Sequence, residues 1–254
     1  MIMETTRGAR AATPGFNRAD EVERLAAAIR AVQARKGSVL IPVFALGRTQ
    51  EILADLALMM RRGLLPRQPV FIGGLGRIFT EIYDLQAHRT HRHHSQLSLT
   101  ESLDLQVLDR RKMDSIKLGG GHLFVLTSGM MTRNTAAFDL ALRMVEDERH
   151  GIFFVGYADP DTPAGRLRAT KPGEVLTFGP EDREVRRRAE VLEFDFTAHA
   201  NREELLDFVG AVSPRVVVLG HGEEPARTWF RQQITARHPR IRIADPGPGE
   251  TVIV

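Results

Sequence analysis

Two short stretches near the C-terminus share one design and constrain the fold more than any other part of the chain. The first is Phe194-Asp195-Phe196-Thr197-Ala198-His199-Ala200-Asn201, and the second is Val216-Val217-Val218-Leu219-Gly220-His221-Gly222-Glu223. Each begins as a hydrophobic run that reads as a buried strand and ends in a corner of small residues carrying one histidine. A helical pattern follows each corner, over residues 202–212 and 225–237. This grammar predicts two neighbouring strands with both histidines at their carboxyl ends, where α/β sheets place ligands and catalysts. A lone histidine at a strand end is more often structural. Two at equivalent corners, each flanked by Gly or Ala and by an acidic or amide residue, point to a functional site.

The rest of the chain alternates in the same way. Over residues 18–36, Val22, Leu25, Ala26, Ile29 and Val32 recur at helical spacing, and Gly37 ends the pattern. Residues 38–44 are apolar throughout, as in a strand covered on both faces, and 49–62 form a second helix. Residues 69–72 read as a strand, Gly73-Gly74-Leu75-Gly76 as a loop, and 77–87 as a helix. The pattern over 88–121 is irregular with some helix. Strand, helix and strand resume at 122–127, 135–146 and 151–156, and 159–163 is a turn. Residues 174–178 and 184–195 alternate apolar with polar, which predicts half-buried antiparallel strands, and 240–243 and 251–254 predict two short edge strands. The expected class is α/β, a parallel sheet flanked by helices.

Bulk composition narrows the function less than the motifs do. A chain of 254 residues can bury a full core. No run of about 18 apolar residues is present, so no membrane span is expected, and the start shows no signal-peptide pattern. Cysteine is absent, which rules out disulfides and thiolate metal sites and leaves a cytoplasmic location as the default. Only Lys36, Lys112, Lys117 and Lys171 among the 35 basic residues are lysines. Arginine suits bidentate phosphate contact, but so general a bias reads first as codon preference.

At the two corners the sequence becomes recognisable. Phe196-Thr197-Ala198-His199-Ala200-Asn201 resembles the Phe-Ser-Ala-His-Ala-Asp motif of the beta-CASP nucleases, a branch of the metallo-β-lactamase superfamily. Leu219-Gly220-His221-Gly222-Glu223 resembles the motif that follows it. Met3-Glu4-Thr5-Thr6-Arg7-Gly8 resembles the family's acidic motif, and the stretch from Leu40 to Glu51 resembles its most recognisable internal segment. The resemblance extends from Glu4 to the C-terminus. It implies a beta-CASP domain over residues 9–191 and the return segment of a metallo-β-lactamase αββα sandwich over 192–254. Residues 1–8 would be a remnant of that sandwich's first part, whose bulk the sequence lacks. The family's His-x-His-x-Asp-His motif is not here, so the expectation is a truncated chain that is inactive by itself.

The resemblance also implies roles. Family enzymes use two zinc ions to generate a hydroxide that attacks an RNA phosphodiester. His199 would be the general acid that protonates the leaving 3′-oxygen, with Glu4 orienting its ring, and His221 would be a zinc ligand. Arg48, Ser128, Gly129 and Thr197 would hold substrate; the bland alternative for Arg48 is pairing with Glu51. Thr197 stands in place of the usual serine, Asn201 in place of aspartate, and Arg7 where many members have tyrosine. The implied partner is single-stranded RNA, with DNA left open, together with a second copy or the absent N-terminal segment. A non-catalytic RNA-binding or scaffolding subunit is the rival reading.

Two other features invite chemistry. Gly73-Gly74-Leu75-Gly76-Arg77 follows a strand, but it lacks the third glycine and downstream acid of a dinucleotide fingerprint. The segment Ala87-His88-Arg89-Thr90-His91-Arg92-His93-His94 would place histidines on shared helix faces. It has no carboxylate at motif spacing, and its arginines repel a dication. It therefore reads as a solvated or RNA-facing basic stretch ahead of a metal site.

Overall fold

The computed structural model describes residues 1–108, 110–178 and 183–253. Its elements run β1 (Ile2–Glu4), α1 (Arg18–Ala34), β2 (Val39–Pro42), α2 (Arg48–Arg61), β3 (Val70–Ile72), α3 (Gly74–Leu85), α4 (Leu99–Ser102), β4 (Leu105–Val107) and β5 (Leu123–Leu126). There follow α5 (Ala136–Met144), β6 (Gly151–Phe154), α6 (Pro163–Ala169), β7 (Val175–Thr177), β8 (Glu184–Arg186) and β9 (Glu190–Glu193). The chain closes with α7 (Arg202–Val212), β10 (Val216–Gly220), α8 (Glu224–Arg237) and β11 (Arg242–Ala244). Two compact units emerge: Arg18–Phe196, and Met1–Asn17 with Thr197–Val254. The division falls outside the boundaries read from sequence because residues 190–196 belong with the larger unit: β9 pairs with β6, and Phe194 and Phe196 sit in its core.

The larger unit is built on a six-stranded sheet in the order β4-β3-β5-β2-β6-β9, and its strand pairs are parallel. The continuous apolar runs of β2, β5 and β6 are explained by burial on both faces. Side chains alternate across the sheet. Val39, Ile41, Leu123, Val125 and Phe153 point into a core with Leu25, Ile29, Ile52 and Leu56 of α1 and α2. Leu40, Phe124, Leu126, Ile152 and Phe154 point into a second core with Phe138, Leu140 and Met144 of α5. One sheet thus carries two hydrophobic cores.

Several elements depart from the sequence reading. Gly73-Gly74-Leu75-Gly76 is the entry to a helix, since α3 starts at Gly74. Glycine is tolerated there because Gly76 packs against Thr49, where a Cβ would lie 3.4 Å from its methyl group. The irregular stretch contains β4, an edge strand beside β3, and the 159–163 turn leads into α6, capped by the Thr162 hydroxyl. Residues 184–195 are not one antiparallel strand. β8 pairs antiparallel with β7, whereas β9 joins β6 in parallel. No strand forms over 251–253, and Val254 lies outside the described residues.

At one end of this sheet, buried polar groups satisfy one another. The Ser38 N–H donates to His150 Nδ1 at 3.0 Å, the Ser38 hydroxyl donates to the Leu118 carbonyl, and the His122 N–H donates to Ser38 Oγ. Accepting at Nδ1 leaves His150 neutral, with its proton on Nε2 facing Asp147 at 3.6 Å. Burial pushes the His150 pKa below its usual value; Asp147 opposes this, and Arg149, Arg35 and Arg143 add to it. A histidine with a depressed folded pKa leaves the unfolded state to take up the proton first. Stability is therefore flat above the ordinary histidine pKa and falls as pH drops below it. Thermal midpoints followed from about pH 7 to 5 should decline, and less steeply in His150→Asn, whose amide oxygen can still accept from Ser38.

The smaller unit has a parallel sheet in the order β1-β10-β11. Val217 and Leu219 of β10 face Leu206 and Val209 of α7 and Phe230 and Ile234 of α8, with Met3 from β1. Asn201 starts α7 with a reciprocal cap: its side-chain oxygen accepts the Glu204 N–H at 2.8 Å, and the Glu204 carboxylate accepts the Asn201 N–H at 2.8 Å. Asn201→Ala should cost about 1 kcal/mol, read as a shift in chemical denaturation. Among the described residues no helix is long and apolar enough to cross a membrane.

Candidate functional site

The site is assembled in the smaller unit by strand register. β1 lies parallel to β10 with Glu4 opposite Gly220, so the acidic corner and the Gly220-His221-Gly222 corner leave the sheet side by side. Hydrogen bonds then fasten the two corners together. The Thr5 hydroxyl donates to the Gly220 carbonyl at 3.0 Å, and the Thr6 hydroxyl donates to the His221 carbonyl at 3.0 Å. The Thr6 N–H donates to Glu4 Oε2 at 2.7 Å, which fixes the carboxylate. Close approach demands glycine twice. A Cβ on Gly222 would lie 2.1 Å from Thr5 Oγ1, and one on Gly8 would lie 2.4 Å from the Ala226 carbonyl oxygen.

His199 arrives on the loop before α7. Its N–H donates to Thr197 Oγ1 at 3.2 Å, and Asn201 two residues on begins the helix. The ring then meets the other corner: His199 Nδ1 is 3.4 Å from Glu4 Oε1, and its centroid is 5.6 Å from that of His221, with the planes 28° apart. At 3.4 Å the Glu4–His199 contact is longer than a short hydrogen bond, a spacing seen when such pairs have no ligand to tighten on. His199 is 40% exposed and Glu4 28%, so the pair opens to solvent. A ligand has access to it.

This assembly corrects the idea of two neighbouring strands. β10 has β1 and β11 as neighbours, while β9, the strand before His199, lies in the other sheet. The partner of the His221 corner is the Glu4 strand, and His199 reaches it from a loop. Among the described residues, histidine and carboxylate donor atoms converge tightly enough to hold a metal ion in one place, at Glu4, His199 and His221, all within 4.8 Å. The histidines of residues 88–94 do not converge; His88 Nε2 accepts from Arg89, and Arg92 covers the Tyr83 ring and donates to the Tyr83 carbonyl.

The chemistry of the donor set decides how zinc would fit. Two imidazoles and a carboxylate are the residue types zinc takes. His221 Nδ1 is engaged by Thr6 Oγ1 at 3.0 Å, which leaves Nε2 for a metal. Both Glu4 oxygens already face partners, the Thr6 N–H and His199 Nδ1, which suits an orienting carboxylate better than a ligand. The residues fit as one metal ligand beside an acid–carboxylate pair.

Of the remaining candidates, three lie in the larger unit and Thr197 lies beside His199. In the larger unit the Arg48 guanidinium pairs with Glu51 and donates to the Phe196 carbonyl, and it is 15% exposed. Ser128 Oγ accepts the Thr132 N–H at 3.2 Å and shares a hydrogen bond with the Thr132 hydroxyl. Gly129 packs against the Val43–Phe44 backbone, leaving 3.2 Å for a Cβ. Thr197, in the smaller unit, accepts from the His199 backbone. Sequence reading gave Thr6 no site role, although it stands in the acidic motif beside Glu4.

Residues 49–167 match the family described as the Beta-Casp domain, and 184–244 match the Zn-dependent metallo-hydrolase RNA specificity domain. The chain is 28% identical to a transcription termination factor, FttA, of Methanothermobacter thermautotrophicus, over 99% of this chain and 41% of that protein. It is 24% identical to an endoribonuclease, YSH1, of Mycosarcoma maydis, over 100% of this chain and 29% of the relative. It is 27% identical to a probable RNase, MJ4, of Methanocaldococcus jannaschii, over 80% of this chain and 45% of the relative. The chain spans less than half the length of these relatives. Two matched domains in the family's order, on a fold of helix-flanked parallel sheets, show that the chain belongs to the beta-CASP family of metallo-β-lactamase-fold nucleases.

Proposed function

We propose that this chain supplies the general acid and one zinc ligand of a zinc-dependent ribonuclease that hydrolyses RNA phosphodiester bonds, and that it is inactive alone. The observation that carries the reading is the convergence of Glu4, His199 and His221 from three separate segments, with His199 Nδ1 3.4 Å from Glu4 Oε1. When bound, zinc makes a water-derived nucleophile available near neutral pH. Glu4 holds the His199 ring by Nδ1 and supplies the counter-charge to its protonated form, so Nε2 presents a proton to the departing 3′-oxygen. After bond cleavage His199 is neutral and regains a proton from solvent, to which it is open.

His221 has a different role, because its Nε2 offers a lone pair and its ring is fixed by the turn that fixes Glu4. One turn thus holds both the carboxylate that orients the acid and the ring that would ligate the metal. Arg48, Ser128, Gly129 and Thr197 are proposed as substrate-holding residues, Arg48 by exchanging its Glu51 contact for a phosphate oxygen. Zinc content and cleavage of a labelled single-stranded RNA test the reading. The chain alone should carry little zinc and cut nothing. Both should appear when the preceding segment of a longer relative is joined to it. Stoichiometric zinc and cleavage by the chain alone would overturn the assignment of incomplete ligation.

A further inference from the structure

Thr6 hydrogen-bonds to both Glu4 and His221. Its backbone N–H donates to Glu4 Oε2 at 2.7 Å, and its hydroxyl lies 3.0 Å from both the carbonyl oxygen and ring Nδ1 of His221. A hydroxyl has one hydrogen to give. A carbonyl oxygen can only accept, and two oxygens 3.0 Å apart with no proton between them repel. The hydrogen therefore goes to the carbonyl, and the hydroxyl oxygen is left to accept. The group facing it, His221 Nδ1, must then be an N–H donor, which leaves Nε2 unprotonated. His221 holds a positive φ of 48°, a strained position for a residue with a Cβ, and the two Thr6 contacts and the Thr5 N–H at 3.4 Å restrain it there.

We propose that Thr6 is a positioning residue that fixes His221 in its Nδ1–H tautomer and aims the Nε2 lone pair outward as the donor to a divalent metal ion. The metal clause rests on the zinc reading above; the tautomer does not. Metal-bound histidines need their second nitrogen held by a partner that sets ring orientation, and loss of that partner costs affinity. Thr6→Val keeps the branched shape and the backbone bond to Glu4 while deleting both hydroxyl contacts. Thr6→Ser keeps both contacts, and Thr6→Ala provides a second deletion if valine perturbs folding.

The test is two-bond 1H–15N NMR of the full chain with 15N-labelled histidine, above about pH 8, where free imidazole is neutral. Wild type and Thr6→Ser should show His221 Nδ1 protonated and Nε2 bare. Thr6→Val and Thr6→Ala should shift towards an Nε2–H ring. In a Zn²⁺ titration of the chain joined to the preceding segment of a longer relative, the deletion variants should bind about 10–100-fold more weakly than wild type, with Thr6→Ser close to wild type. An Nε2–H ring in wild type, or the same tautomer in wild type and Thr6→Val, would overturn the proposal whatever zinc does. Should that joined protein fail to bind zinc in its wild-type form, the zinc reading falls, and the tautomer still decides Thr6.

Discussion

In the proposed zinc-dependent nuclease, with the preceding segment joined to this chain, His199→Ala is expected to slow RNA hydrolysis about 10²–10⁴-fold, the usual worth of a positioned general acid, without lowering zinc content. The physical reason is local. The leaving 3′-oxygen departs as a costly alkoxide unless a proton is delivered as the bond breaks. The His199 ring is the group at the site with one nitrogen turned to a carboxylate and open exposure to substrate. Its removal leaves the Thr6 contacts to His221 intact, so the proposed metal ligand keeps its geometry. His221→Ala should behave differently, losing zinc and activity together. Single-turnover rates and metal analysis on the same preparations distinguish the two roles. A His199→Ala protein that also loses its zinc would make His199 a ligand.

Gly222→Ala is expected to destabilise the smaller unit by about 3 kcal/mol, whereas Gly220→Ala two residues earlier should be nearly neutral. The contrast follows from space alone, since neither glycine has the positive φ that favours the residue. A Cβ at Gly220 meets nothing within 4 Å. A Cβ at Gly222 would lie 2.1 Å from Thr5 Oγ1 and 2.9 Å from the Thr5 carbonyl carbon. Thr5 cannot yield, because it is fully buried and its hydroxyl is bonded to the Gly220 carbonyl. The clash must therefore push the two corners apart, dragging Glu4 from His199 and Thr6 from His221. Urea unfolding of both variants checks the prediction, and equal midpoints would contradict it.

Which parts of this were legible in sequence has a physical pattern. Local features were readable: the amphipathic spacing of α1, the apolar runs of β2 and β5, and the capping residue Asn201 at α7. Features set by distant partners were not. Alternation over residues 184–195 gave strand character correctly, but only pairing decides that β8 runs antiparallel to β7 while β9 lies parallel to β6. The same limit applied to the two histidine corners, whose similar grammar suggested adjacent strands although they follow different sheets. Glycines at α3 were misread because a helix start that packs closely on Thr49 resembles a loop in composition. The candidate site was legible as residue types, since Glu4, His199 and His221 each stand in a motif. Thr6 stands in the acidic motif too, but its role was not legible, because its partner His221 is 215 residues away and only register brings them together.

The most direct test of the acid role uses an RNA whose scissile linkage carries sulfur in place of the bridging 3′-oxygen. A thiolate leaves without needing a proton, so the substrate bypasses general-acid catalysis. Cleavage of this linkage by His199→Ala should approach the wild-type rate, while His221→Ala should remain inactive on it. If His199→Ala were as impaired on the sulfur linkage as on the natural one, His199 would not be the proton donor, and the division of labour between the two histidines would be wrong.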